Sequence, residues 1–545
     1  MSNKIKFVIL TLIIILAGTL RLWKLGSYPS FNADEAAIGY NAYSLLETGK
    51  DEHGNPWPIH FQSFNDYKPG LYFYIVLPFV KFFGLNEWSV RLPNAILGAL
   101  CVYLIYLLVE KLYPNKEFGI IASFMLAISP WHIHFSRGGW EVNTATFFIM
   151  AGLLFFLQFR DNKKIFNLIL SGMFFVISLY TYHAARIVVP LLGLGIFIIY
   201  FDTIKINLKK IIWVLVLCLF MLLPLANDFI KGDVASRAVG VGLFADPGPL
   251  SRVNEQRGEH DKYNGLIAKL YHNKPVNYGL AFLDNWVKHF HGEFLFLSGD
   301  VIERNRVPET GQMYILDFFW LIIGLCWFIR NLNKETKLLL WWLVIAPAAA
   351  ALTFQSPHAL RSQNMVIPLI IICAIGISQM LSWFLKTLKN KYTLYGICIL
   401  ITSVIVLQFV RYEHMYWVHM SKEYKYSSQY GVKELASFLV SIGSDKKVLV
   451  TDRYDQPYIL FLFYLKYPPE KFQNNHVLLG RDRFGFSTVP AFDKYEFSSI
   501  NFDRDKGKYP NYLLAGTDGE IPNEANIIKR IYGSNGQLYF EVVAN

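Results

Sequence analysis

The chain has 545 residues, 53% of them hydrophobic and only 17% charged, against roughly 25% charged in a typical soluble domain. That balance excludes an ordinary soluble enzyme and a disordered chain. The formal net charge of +11, from 52 Lys+Arg against 41 Asp+Glu, would suit a nucleic-acid partner unless the placement of the basic residues accounts for it.

A helix that crosses the hydrocarbon needs about 20 mainly apolar residues. Such stretches recur near 7–25, 91–113, 118–136, 141–159, 165–183, 187–202, 211–229, 312–330, 337–354, 363–385 and 392–411, which predicts about eleven spans. The first runs on to Leu25 with no small-residue cleavage site behind it and reads as a retained anchor. The apolar segment Leu71–Phe83 is short and interrupted by Pro78 and Lys81, as expected of an interfacial or re-entrant element.

The loops set the orientation. One alternating set carries Lys4/Lys6, Lys111/Lys116, Arg160/Lys163/Lys164, Lys205/Lys209/Lys210, Arg330/Lys334/Lys337 and Lys386/Lys389/Lys391, whereas the opposite short loops carry mostly single arginines. Basic loops face the cytoplasm, so the amino terminus is expected inside and the carboxyl terminus outside. Much of the positive charge is then topology, and nucleic acid is set aside as a partner. Cys101, Cys218, Cys326, Cys373 and Cys398 all lie in expected spans, which leaves no disulfide framework. The absence of any N-x-[ST] acceptor favours a prokaryotic plasma membrane.

Outside the membrane, long pieces run over 26–92, 231–311 and 412–545. The expected organisation is a membrane domain over 1–411 and a small extracytoplasmic α/β domain over 412–545. That tail predicts a helix at Gly431–Ile442, a strand at Lys447–Thr451, a helix at Tyr458–Tyr467, strands near Tyr512–Ala515 and Leu538–Val543, and a turn at Ser534-Asn535-Gly536. In the first external piece a helix should open at Asn32 or Ala33 and stop at Thr48-Gly49. Ile38, Ala42, Leu45 and Leu46 share one face, as for a helix lying on the membrane surface. Asp34 and Glu35 fall in its first turn, where the helix dipole favours ionised carboxylates. A carboxylate held there can accept a proton from a bound hydroxyl.

The polar groups at the outer ends of the spans are Asp34, Glu35, Asp66, Lys68, Arg91, Arg137, Glu141, His183, Arg186, His358 and Arg361. Cations outside do not follow the basic-inside trend, and arginines gathered with Lys68 would suit a phosphate. Acids and bases on the same side point to reaction chemistry. His289 and His291 are weak metal candidates, since an i, i+2 pair in a helical region seldom converges on one ion; a divalent metal is not firmly implied.

Phe31-Asn32-Ala33-Asp34-Glu35-Ala36-Ala37-Ile38-Gly39-Tyr40 resembles the external Asp-Glu motif of the GT-C glycosyltransferases of family 39, the protein O-mannosyltransferases and aminoarabinose transferases. Asp66-Tyr67-Lys68-Pro69-Gly70 resembles the Lys-Pro motif later in that loop, and Arg91-Leu92-Pro93-Asn94-Ala95 the start of the second span. Trp286–Asp300 is similar to bacterial members of the broad family, and the likeness covers roughly 5–411. The resemblance implies transfer of a sugar from a polyprenyl-phosphate donor to a protein, lipid or cell-wall hydroxyl on the outer face, with inversion. Asp34 would be the general base, and Glu35 would position the acceptor or Asp34. Lys68, Arg91 and one or more of Arg137, Arg186 and Arg361 would hold the donor phosphate, the last three by location only. Asp66, Glu141, His183 and His358 remain candidates for substrate binding. Tyr67 stands where some relatives carry a metal-side acid next to the lysine. The rival reading is a transporter or flippase for an anionic lipid-linked sugar, which should carry ionisable groups near mid-membrane and broken span pairs.

Overall fold

The computed structural model describes every residue except 1, 115–116, 232–241, 425, 428, 444, 483–484 and 534–535. Lys116, part of the second external piece and Ser534-Asn535 of the expected turn therefore lie outside the described residues. The chain divides into two compact units: 1–21, 96–136 and 141–413 form the first, and 22–95, 137–140 and 414–545 the second.

The first unit is helical. Among the described residues, helices long and apolar enough to cross a membrane are Asn3–Leu22, Glu87–Leu112, Glu141–Asn162, Leu208–Ile230, Gln363–Thr387 and Lys391–Glu423, and of these Glu87–Leu112 and Lys391–Glu423 each have one end in the second unit. The expected span at 118–136 is two helices, Phe118–Ile128 and Pro130–Ser136, bent by 59° at their junction. Pro130 has no N–H to continue the ladder and steers Ser129 into extended backbone. Ile165–Leu179, Ala185–Ile199 and Asp317–Arg330 are also apolar but shorter, at 15, 15 and 14 residues. Helices Asp317–Arg330 and Val366–Thr387 approach backbone to backbone. A Cβ on Gly324 would collide with the Ile372 carbonyl, and one on Gly376 with that of Trp320, the small-residue contact that lets membrane helices come close.

The second unit joins the first external piece to the tail through one hydrophobic core. Ala36, Ile38 and Leu45, then Tyr72, Phe73 and Val76, then Tyr458–Phe463 all belong to it. Helix Ala33–Thr48 has the ends its sequence predicts. Asn32 caps it by accepting from Glu35 N, and Gly49 closes it in the left-handed region with its N–H on Leu45 O. The helix is buried on nearly every face, unlike the one-sided surface helix expected. The small residues Ala36, Ala37, Gly39 and Ala42 cause the difference. A Cβ on Gly39 would stand 2.6 Å from Phe463 and 2.7 Å from Val90.

Strands β1 (His60–Ser63) and β2 (Asp66–Pro69) form an antiparallel hairpin that pairs Phe61 with Lys68. Helix Leu71–Phe83 follows; its 13 residues reach about 20 Å, short of a bilayer core. In the tail, β3 (Val448–Val450), β4 (Ala491–Phe492), β5 (Tyr495–Phe497), β6 (Leu513–Gly516), β7 (Ile527–Tyr532) and β8 (Leu538–Ala544) form one sheet in the order β4-β5-β3-β6-β8-β7. Strand β3 runs parallel to β5 and β6, and the other pairs are antiparallel. The predicted elements appear as helix Val432–Ser441, β3, helix Pro457–Tyr464, β6 and β8.

Candidate active site

The adjacent acids of helix Ala33–Thr48 have different environments. Glu35 is 1% exposed. Its Oε1 accepts from Arg91 Nε at 2.7 Å and Gly139 N at 2.8 Å; its Oε2 accepts from Arg91 Nη2 at 2.7 Å, Asn32 Nδ2 at 3.0 Å and Asn32 N at 3.3 Å. With the cap from Asn32 this is a complete capping box. The Asn32-x-x-Glu35 spacing could have revealed it, although the pairing with Arg91 has no local signal.

Arg91 is equally committed. Beyond its two bonds to Glu35 it donates from Nη1 to Leu25 O and Pro29 O, both at 2.9 Å, and from Nη2 to Ser30 O at 3.0 Å. All five N–H groups of a guanidinium are thereby engaged. These two fasten the chain on either side of the helix start, where phosphate binding by Arg91 and positioning of the acceptor or of Asp34 by Glu35 were expected.

Asp34 faces elsewhere. Its side chain is 25% exposed, and Oδ1 accepts from Lys68 Nζ at 2.5 Å. Lys68 is held on β2, with its ammonium 5.0 Å from the centre of the Phe64 ring, a favourable cation–π distance. The helix start is tied to the tail by Gln429, whose Oε1 accepts from Ala33 N at 2.5 Å and whose amide donates to Asp455 O. Gln429 carried no sequence signal. Asp66 lies buried at the head of β2, across from Ser63.

Arg137 also belongs to this unit and is buried. Its Nε donates to Tyr416 Oη at 3.0 Å, its Nη2 to Trp23 O at 2.8 Å and Tyr28 O at 3.1 Å, and the guanidinium lies 4.8 Å from the Trp417 ring centre.

The remaining predicted residues form two groups within the first unit. Arg186 and His183 meet at 3.1 Å, and the arginine also donates to Leu179 O. His358, Arg361 and His289 gather around the loop 353–362. Asp300 accepts from Ala359 N at 2.6 Å and Asn305 Nδ2 at 3.0 Å, and its Oδ2 stands 3.7 Å from His358 Nδ1. Arg361 Nη1 donates to Thr353 Oγ1 at 2.7 Å. Glu141 sits in the first turn of helix Glu141–Asn162.

His289 uses both ring nitrogens: Nδ1 donates to Asn285 O at 2.8 Å, and Nε2 accepts from His358 N at 3.1 Å. Burial lowers its pKa to about 4, which keeps this neutral pairing. His291 is exposed, so the two do not converge on an ion. Among the described residues no three His, Cys, Asp or Glu side chains gather as a metal cradle. The first unit also holds an apolar groove of about 380 Å³, lined by residues including Ile13, Phe124, Trp320 and Ile401 and by none of the predicted site residues.

Residues 9–229 match the family model described as dolichyl-phosphate-mannose-protein mannosyltransferase. Among solved structures, apo ArnT from Cupriavidus metallidurans superimposes with a TM-score of 0.54 at 12% identity, covering 100% of this chain and 98% of that one. The two chains share one fold. The archaeal oligosaccharyltransferase AglB from Archaeoglobus fulgidus, in complex with an inhibitory peptide and a dolichol-phosphate, superimposes with a TM-score of 0.50 at 13% identity, over 84% of this chain and 63% of that one. An uncharacterised protein of Aquifex aeolicus (strain VF5) is 26% identical over 179 residues, 33% of this chain and 35% of that protein. A Bacillus subtilis (strain 168) protein carrying the name "Putative mannosyltransferase YkcB" is 32% identical over 112 residues, 20% of this chain and 15% of that protein. The chain thus spans about a third or less of the length of these two relatives. The family match contains the Asp-Glu, Lys-Pro and Arg91 motifs and ends before Trp286–Asp300.

Proposed function

We propose that this chain is a membrane glycosyltransferase that moves a sugar from a polyprenyl-phosphate donor to an acceptor hydroxyl on the extracytoplasmic face. The observation that carries the reading is the 2.5 Å contact between Asp34 and Lys68, a partly open carboxylate and a cation inside the stretch that matches the mannosyltransferase family model.

Asp34 takes the proton of the acceptor hydroxyl. The freed oxygen pair forms a bond to the anomeric carbon from the face opposite the phosphate, which inverts the configuration. The bond between that carbon and the phosphate oxygen breaks, and polyprenyl phosphate leaves with the electron pair. Lys68 offers a charge poised for the departing oxygen before it develops, with Arg137 as a further candidate for the phosphate. Glu35 and Arg91 hold the helix start so that Asp34 keeps its direction. The amino terminus faces the cytoplasm, and the tail lies outside.

The deciding experiment incubates purified protein with radiolabelled polyprenyl-phosphate sugars and an outer-membrane or wall extract, scoring release of polyprenyl phosphate. Release that Asp34→Asn abolishes is the expected result. Movement of the intact lipid-linked sugar across vesicles without release would replace the transferase by a flippase.

A further inference from the structure

The tail grips the chain beside both members of the Asp34–Lys68 pair. At the helix, Gln429 Oε1 accepts from Ala33 N at 2.5 Å, one residue before Asp34, and its amide donates to Asp455 O. Ala33 N is one of the helix-start donors that no intrahelical carbonyl can satisfy. At the hairpin, Phe64 and Asn65 form the two-residue turn between β1 and β2, with φ of 56° and 58°, as a tight hairpin requires. Ser487 N donates to Phe64 O at 2.8 Å, and Asn65 Nδ2 donates to Ser487 Oγ at 3.2 Å. Lys68 leaves that turn three residues later, its ammonium over the Phe64 ring.

The two grips meet inside the tail. Gln456 follows Asp455 and donates from Nε2 to Ser487 O at 3.2 Å. A path therefore runs through Ala33, Gln429, Asp455, Gln456, Ser487 and Phe64, with a hydrogen bond at each step except the peptide link from Asp455 to Gln456. Gln429 and Ser487 are buried, where a hydrogen bond is electrostatically stronger than in water. Gln429 and Gln456 have φ of 53° and 50°, the left-handed region that residues with a Cβ seldom occupy. Such conformations persist where surrounding contacts over-determine them. A separate tail contact lies at the other end of the helix: Gln473 Nε2 is 3.0 Å from Ser44 Oγ and Thr48 Oγ1 and 2.8 Å from Asp51 O.

We propose that Gln429 and Gln456 are positioning residues: together they make the tail a clasp that fixes the Asp34 carboxylate against the Lys68 ammonium. Both act through backbone atoms, Gln429 on the N–H that opens the helix and Gln456 on the carbonyl of Ser487. The proposal rests on the roles given to Asp34 and Lys68 above, and it gives the tail a part in the transfer step.

The test is Gln429→Met and Gln456→Met, which remove the amides and keep the side-chain length. Release of polyprenyl phosphate is expected to fall about 10²-fold in kcat, the cost of a misplacement of about 1 Å, with KM nearly unchanged. Gln473→Met loosens the tail at the far end of the helix and is expected to keep the wild-type kcat. A second readout needs no donor. Carbodiimide joins a carboxylate to an amine where the two touch, and the Asp34 side chain is a quarter open to reagent. The wild type should give an Asp34–Lys68 cross-link, identified by mass spectrometry and absent from Asp34→Asn. Its yield should drop severalfold in both clasp variants and hold in Gln473→Met. Should Gln429→Met not fold, Gln456→Met carries the test alone. Wild-type yield or wild-type kcat in a folded clasp variant overturns the proposal. So does a wild type without the cross-link, or an equal loss in Gln473→Met, which would make the tail a general scaffold. A wild type that releases no polyprenyl phosphate, with the cross-link pattern as expected, refutes the transferase reading and leaves the clasp.

Discussion

Glu35 and Arg91, 56 residues apart, meet through two parallel hydrogen bonds of 2.7 Å with both side chains closed to solvent. The next carboxylate in sequence, Asp34, keeps a quarter of its surface open. One pair of adjacent acids therefore divides into a buried fastener and a partly open carboxylate. Breaking a buried ion pair from one side leaves a charge without its partner and costs about 3–5 kcal/mol. Glu35→Gln is expected to lower the unfolding temperature of the detergent-purified protein more than Asp34→Asn, because Asp34 is partly open to solvent whereas both members of the Glu35–Arg91 pair are closed to it. Equal melting shifts in the two variants would refute the division.

The Asp34–Lys68 contact predicts coupled kinetics. Removing a general base costs about 10²–10⁴ in rate, and removing a charge that stabilises a leaving oxyanion about 10²–10³. Asp34→Asn and Lys68→Met should each fall in these ranges. The double variant should be far less impaired than the product of the two losses, because groups acting as a unit are not additive. Strict multiplication of the losses in single-turnover assays would show that the two side chains act separately.

The legibility of the sequence follows the range of each interaction. The ends of helix Ala33–Thr48 were readable because Asn32 and Gly49 act on their own turn. The apolar runs were readable as helices, and Pro130 marks the 59° bend. In the tail, β3, β6 and β8 were readable from their apolar runs. Their sheet order was not, because β3 pairs with β5 and β6 through a choice made by packing. The same limit hides the engagement of Arg91: its residue type suits a phosphate, and only the folded chain brings Glu35, Leu25, Pro29 and Ser30 to its five donors. Helix Ala33–Thr48 shows a one-sided apolar stripe, yet its alanines and Gly39 let neighbours close on the other faces as well.

The basic-loop asymmetry predicts topology. A reporter active only outside the cytoplasm, fused after Asn545, should be active, and one fused after Arg160 should be silent. Both reporters active on the same side would contradict the orientation, since Arg160/Lys163/Lys164 and the tail are assigned to opposite faces.

Buried Glu52 and His53 predict how stability varies with pH. Glu52 keeps its proton up to about 8 in the folded chain, against an ordinary 4.5. Its contribution is complete below about 4.5 and is lost as pH rises through 8. His53 stays neutral down to about 3 in the folded chain, against an ordinary 6.5, so its contribution is complete above about 6.5 and is lost as pH falls through 3. Each acts with a slope of about 1.4 kcal/mol per pH unit. Between 4.5 and 6.5 the slopes oppose one another, which predicts a plateau in unfolding temperature with a decline on either side. Glu52→Gln should remove the part of the decline between about 6.5 and 8, and His53→Gln the part between about 3 and 4.5. Because membrane proteins often unfold irreversibly, the melts are compared at one scan rate. An alkaline decline of the same steepness in E52Q and wild type would mean that Glu52 is already ionised in the folded chain.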